Sequence, residues 1–430
     1  MPRSLLHKEV LNNGIRVVTE EIPFVKSVSM GIWVEVGSRD EGDGEAGLSH
    51  FIEHMMFKGT ARRSASGIAR EIDHLGGELN AFTSRENTAY YAKVTDDQVP
   101  PAIDLLADLF RYSTFSPSEI KLEKQVILEE IHMVEDDPED QVHDLHTENV
   151  WRGNSLSRPI LGEPRTVRGV TRLQIRDFLE RQYRPERIVI AAAGRFNRRE
   201  LIRRIERAFR SHGLPARASG QPSEGGRRMP INGGRRLLIR RKSFEQTHLC
   251  LGLPGLSITH PDRYAAHALN TLLGGGMSSR LFQEVREKRG LVYTIYSHLA
   301  GYQDAGMLMV YAASRPEMVS KVLKLTLQEL RKVRDRGIRG EEMDRAVNQL
   351  KGGIMLGLES TNSRMSRIAR DEIYFGRLFS LQETLDEIAG VSRAQVRRLA
   401  GELLDLKRLS VTLLGPVPQK ASRLERLLDA

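Results

Sequence analysis

The chain has 430 residues, 40% hydrophobic and 28% charged, with a formal net charge of +9. That length can hold two or more domains with real cores, and the balance excludes a disordered chain. A single cysteine, Cys250, excludes an intramolecular disulfide and a thiolate metal cluster, and no apolar stretch nears the ~20 residues of a membrane span.

The N-terminus, MPRSLLHKEVLNNG, has no apolar core and carries Glu9, so no secretory signal is expected, and a cytoplasmic location is the expectation. GIRVVTEEI and SVSMGIWVEVG read as strands. Alternation in the second sets Val28, Met30, Ile32 and Val34 on one face. A short apolar run around residues 48–57 reads as a helix. The next helix, SASGIAREIDHLGG, shows Ile68, Ile72 and Leu75 at helical spacing, and Gly76 and Gly77 stop it. ELNAFTSRENTAYYAKV places turn residues between two strand-like runs and reads as a hairpin. Residues 116–137 read as a helix with Ser116 as N-cap and Pro117 in the first turn.

Residues 211–236 are rich in Gly, Pro, Ser and Arg and read as an interdomain linker. They separate a first domain, 1–210, from a second, 237–430. The second half repeats the element order of the first. RRLLIRR and THLCLGLPG read as strands, RYAAHALNTLLGGG as a helix, and LVYTIYSHLAGYQDAGMLMVYAA as a strand pair. The expectation is an α+β chain of two similar α/β domains, a duplicated unit with antiparallel-rich sheets packed with helices. LLGGGMSS lacks the ending of a phosphate-binding loop and is assigned to a turn after a helix. The positive charge permits nucleic-acid binding, but the arginines are scattered over helical faces such as ELIRRIERAFR and no reading module is present. Solvated helical faces explain the charge better.

The apolar run 47–60, GLSHFIEHMMFKGT, contains three titratable groups: His50, Glu53 and His54. On a helix, positions i, i+3 and i+4 fall within about 100° of arc. Two imidazoles one turn apart reach a single tetrahedral zinc, and the glutamate between them is placed to take a proton from zinc-bound water. This is the H-x-x-E-H pattern. With 12 histidines and 56 acidic residues in 430, chance yields about 0.04 such arrangements. Burying three such groups without a metal costs on the order of a few kcal/mol. A catalytic zinc needs a third protein ligand. The helix at 116–137 carries Glu123 and Glu130, seven residues apart, in an apolar stripe with Ile120, Ile127 and Val134. Glu129 lies off that stripe and reads as solvated, and His132 as an ordinary surface or packing histidine.

HFIEHMMFKGT, LGGELNAFTSRENTAYYAKV, EKQVILEEI, RPILGEP and LLGGGMSSRLFQEVREKRGLVYTIYS together resemble the pitrilysin (insulinase) family of zinc peptidases, in its processing-peptidase-like bacterial branch. The resemblance covers nearly the whole chain. It implies one Zn²⁺ per chain, with His50, His54 and Glu130 as ligands, Glu53 as general base, and Glu123 as a carboxylate supporting the site. It also implies that LNAFTS is an edge strand receiving an extended peptide by backbone pairing, through Asn80, Ala81 and Phe82. Arg286 and Tyr293 would hold the substrate backbone and stabilise the oxyanion; Arg289, nearer to Tyr293 in sequence, is an alternative. The implied activity is hydrolysis of unstructured peptides in a chamber enclosed by two chains, a homodimer, with neither nucleic acid nor membrane as partner. The rival reading within the family is a catalytically silent structural or chaperone-like subunit. Such subunits typically lose the zinc motif, which this chain keeps.

Overall fold

The computed structural model describes residues 5–210, 236–417 and 420–429. The expected linker, 211–236, lies outside the described residues except for Arg236. The chain forms two compact units, each an α/β domain with a mixed sheet.

The first unit is built on six strands: β1 (Leu5–Val10), β2 (Arg16–Glu21), β3 (Ser27–Val34), β4 (Glu78–Thr83), β5 (Thr88–Thr95) and β6 (Ile188–Gly194). Their spatial order is β1-β2-β6-β3-β5-β4, with only β2 and β6 parallel. The alternation expected for β3 is present. Val28, Met30, Ile32 and Val34 join the larger core, whereas Trp33 joins the core on the opposite face. Four helices of this half matter for the site: α1 (Leu48–Met55), α2 (Ala65–His74), α3 (Val99–Tyr112) and α4 (Pro117–Asp136). Ser64 Oγ accepts from Gly67 N (3.1 Å) to cap α2, and Ser116 Oγ accepts from Glu119 N (3.3 Å) at the start of α4.

The second unit has β7 (Arg236–Arg240), β8 (Thr247–Pro254), β9 (Val292–Gly301), β10 (Gly306–Ser314) and β11 (Ser410–Leu414) in the order β7-β11-β8-β10-β9. Here β7 and β11 are the parallel pair. Without β1, the first sheet runs β2-β6-β3-β5-β4, so both sheets share one chain order, one spatial order and one position for the parallel pair. The duplicated unit read from element order is therefore visible as a repeated topology.

Each unit takes most of one half of the chain and one segment from the other. Residues 133–157, containing α5 (Pro138–Val150), belong to the second unit, and residues 357–380 to the first. Contiguous halves meeting at 211–236 do not anticipate this exchange. Its physical reason is that each sheet has two apolar faces, and both need cover. Met365, Ile368 and Ala369 of the helix Thr361–Phe375 pack on the Trp33 face of the first sheet. Val142 of α5 joins Cys250, Met307, Met309 and Tyr311 on the corresponding face of the second.

Candidate metal centre

Helix α1 is short, and its geometry is fixed at its N-terminus. Gly47 sits at φ 88°, where a Cβ would lie 2.6 Å from the Leu161 carbonyl oxygen. The buried Glu41 carboxylate accepts from Gly47 N (2.9 Å) and Ser49 N (2.8 Å), satisfying amides at the helix start. Leu48, Phe51, Ile52 and Met55 anchor the helix in the core. The remaining face presents His50 and His54, whose ring centroids are 4.5 Å apart at an interplanar angle of 60°.

Helix α4 supplies both carboxylates. Ile120, Ile127 and Ile131 bury one side of it, and Glu123 is buried with them. Glu130 Oε2 lies 3.7 Å from His50 Nε2 and 3.6 Å from His54 Nε2. Those separations exceed a hydrogen bond but approach the ~3.4 Å edge of a tetrahedron with ~2.1 Å bonds to zinc. His50, His54 and Glu130 each offer a ligand atom, all within 4.8 Å of one another, and they are the one such group among the described residues. Glu129 and His132 are exposed.

Around this triad His54, Glu123 and Glu53 have defined partners. His54 Nδ1 is 2.8 Å from Glu123 Oε1, which makes Nδ1 the protonated nitrogen and leaves Nε2 as the lone-pair donor. Lys58 Nζ donates to the other oxygen of Glu123 at 2.7 Å. Thr83 Oγ1 donates to Glu53 Oε2 at 2.6 Å. His50 Nδ1 is buried without a protein partner. Burial, with the neighbouring His54, pushes the His50 imidazole down to about 3, so it is neutral and able to ligate at neutral pH. Burial also raises the Glu53 carboxyl, against the Thr83 hydrogen bond. Burial lowers His54, but its bond to Glu123 and the charges of Glu130, Glu123 and Glu53 outweigh that and leave it raised. Two neutralisable nitrogens, one carboxylate oxygen and fitting separations make a donor set suited to zinc.

Asn80, Ala81 and Phe82 lie on β4, which pairs with β5 on one side and is the edge of its sheet on the other. Ala81 packs against the main core, Phe82 stands on the opposite face with its ring 5.3 Å from Trp33, and Asn80 is exposed. Arg286 and Tyr293 belong to the second unit. The Arg286 guanidinium lies 5.2 Å from the Tyr293 ring centroid and 4.5 Å from that of Phe282, within a π-helical turn, Phe282–Glu287. Tyr293 is 78% exposed. Arg289 is instead tied to Glu284, donating to its Oε2 at 2.7 Å. Three participants were not singled out by sequence reasoning: Glu41, Lys58 and Thr83. Only Lys58 leaves a local signal, at i+4 from His54.

Residues 16–164 match the family model described as Insulinase (Peptidase family M16), and residues 169–350 match the one described as Peptidase M16 inactive domain. A Streptomyces coelicolor protein described as an uncharacterised zinc protease is 45% identical over 97% of this chain and 92% of its own length. The chain belongs to the insulinase family of peptidases. A Bacillus subtilis member, also described as an uncharacterised zinc protease, is 42% identical over 93% of this chain and 96% of its own. The fold agrees with that of a Helicobacter pylori protease, at TM-score 0.90 and 22% identity over 96% of this chain and 100% of that one. The insulinase match contains His50, Glu53, His54, Glu123 and Glu130, whereas the inactive-domain match contains Arg286 and Tyr293. No helix among the described residues is long and apolar enough to cross a membrane.

Proposed function

We propose that this insulinase-family chain is a zinc-dependent metalloendopeptidase, with His50, His54 and Glu130 as ligands for one zinc and Glu53 as general base. The observation that carries this reading is the convergence of both imidazole Nε2 atoms on Glu130 Oε2, with the buried Glu53 carboxylate on the same short helix. Zinc bound there supplies a Lewis acid for the scissile carbonyl and lowers the pKa of water to about 7. Glu53 takes the proton of the attacking water and delivers it to the leaving amine. Glu123 keeps His54 in the ligating tautomer, and the free edge of β4 at Asn80, Ala81 and Phe82 receives an extended peptide as an added strand. Arg286 and Tyr293 stabilise the substrate carbonyl as charge develops on it. Two copies of the chain enclose the substrate, which restricts cleavage to unstructured peptides, and the enzyme works in the cytoplasm.

Glu53→Gln is the decisive variant. It is expected to bind about one zinc per chain, as the wild type does, and to lose cleavage of unstructured peptides by about 10²-fold or more. Wild-type turnover in Glu53→Gln removes Glu53 as the base. The second reading, a silent structural subunit, draws on the inactive-domain match over 169–350. A zinc-loaded wild-type chain that cleaves nothing in an unstructured-peptide library selects it.

A further inference from the structure

Glu53 carries three rotatable side-chain bonds, and an unrestrained glutamate loses rotamer entropy when it is fixed. A general base that is ordered before substrate arrives avoids meeting that cost during the reaction. The structure shows what orders it. Thr83 closes β4, and period-two alternation sets its side chain on the face of Leu79 and Ala81, which pack against the core that includes α1. Its hydroxyl has one proton, which goes to Glu53 Oε2 at 2.6 Å.

The position of Thr83 is itself fixed by the hairpin. Its register partner Thr88 donates its hydroxyl to the Val36 carbonyl at 2.9 Å, Ser84 N donates to the Asn87 carbonyl at 2.8 Å, and Asn87 N donates to Ser84 Oγ at 3.0 Å. The tie therefore runs from a rigid turn, through one hydroxyl, to one carboxylate oxygen. Oε1 is left to accept a proton.

We propose that Thr83 is a positioning residue: its hydroxyl holds Glu53 in the rotamer that serves the His50–His54–Glu130 group and ties that rotamer to the edge strand β4. The inference rests on Glu53 acting as the base of the proposed hydrolysis. It also makes base alignment depend on the end of the strand along which the substrate is proposed to lie. A hydroxyl is required at position 83, and the methyl of threonine is not.

The test uses the full chain, loaded with zinc, and a quenched fluorescent unstructured peptide. Thr83→Val is isosteric and keeps β propensity. It is expected to retain wild-type zinc content and KM, with kcat reduced about 10- to 100-fold, while Thr83→Ser recovers most of the loss. In the Glu53→Gln background, Thr83→Val should cause no further fall. A readout independent of turnover comes from the zinc-free chain: the melting-temperature shifts of Thr83→Val and Glu53→Ala should be non-additive in the double variant, since each alone removes the same hydrogen bond. Wild-type kcat in Thr83→Val overturns the proposal, as does Thr83→Ser being as slow as Thr83→Val, or strict additivity of the melting shifts. If Thr83→Val does not fold, Thr83→Ala is read against Thr83→Ser by the same criteria. Wild-type turnover in Glu53→Gln is a different outcome, because it removes the base rather than its anchor.

Discussion

Replacing Glu123 by glutamine isolates the support beneath the metal centre. Glu123 is 2% exposed and spends its two oxygens on His54 Nδ1 (2.8 Å) and Lys58 Nζ (2.7 Å). Glutamine preserves the shape and one acceptor, but it removes the charge and turns an amide N–H₂ toward one of two donors. A buried hydrogen bond to a charged group contributes about 1.5–3 kcal/mol. Since ~1.4 kcal/mol is a factor of ten, zinc affinity should fall about 10- to 100-fold, with His50 and Glu130 still in place. The assay is a competition titration against a chromophoric chelator, run with wild type and Glu123→Gln at pH 7 and pH 9. The higher pH matters because Glu123 also raises His54 and so favours its protonated, non-ligating form. Losing that effect offsets part of the loss near neutrality and none of it once His54 is neutral. The affinity gap should therefore widen at the higher pH. Equal zinc affinity for both proteins at pH 9 would refute the view that Glu123 orients the ligand.

Other consequences are equally direct. Chelation should abolish peptide cleavage and added zinc should restore it, measured as the initial rate before and after dialysis. Gly252→Ala should destabilise the second unit by about 1–3 kcal/mol, read as a fall in melting temperature, because a Cβ would lie 2.3 Å from Nε2 of the fully buried His146. Gly353→Ala, in the helix Gly340–Gly357 with open space around a new Cβ, should raise stability by about 1 kcal/mol in the same assay. Burial alone would raise the Glu342 carboxyl, but Arg280 (2.9 and 2.8 Å) and the Arg339 amide (2.8 Å) bring it to about 2, below its ordinary 4.5. A depressed folded pKa stabilises above 4.5, and that contribution, about 3 kcal/mol, disappears as pH falls toward 2. Glu342→Gln should flatten the fall of melting temperature over that window, and an unchanged acid limb would contradict it.

The legible part of the site was local. His50, Glu53 and His54 share one helical turn, so a 3.6-residue period places them together whatever the rest of the chain does. Glu123 and Glu130 were visible as carboxylates out of keeping with an apolar stripe, yet choosing Glu130 over Glu123 as ligand needed the family resemblance. The i+7 spacing alone is symmetric between them. Glu41 and Thr83 have no such signature. Thr83 is an ordinary strand residue until β4 is laid beside α1, and that placement is tertiary. The exchanged segments were hidden for a similar reason. An amphipathic helix such as α5 states that it needs an apolar surface, but not which sheet provides it.

The second unit shows how far fold and chemistry are separable. Between β8 and β9 it places the helix Arg263–Gly274, in the position α1 holds between β3 and β4. The two sheets share one topology, so nothing in the architecture forces a metal onto either. The difference lies in side chains: α1 turns two imidazoles toward α4 and a carboxylate toward Thr83 of β4, whereas Arg263–Gly274 buries Ala265, Ala268, Leu269 and Leu272 and keeps its single histidine, His267, exposed. An apolar helix packs at no electrostatic expense, while α1 must hold Glu53 and His50 almost fully buried. Thr83 partners Glu53, Glu123 with Lys58 behind it partners His54, and Glu41 satisfies the amides at the helix start. The repeat unit therefore provides the frame twice, and the polar shell built around one copy is what separates a metal centre from an ordinary core.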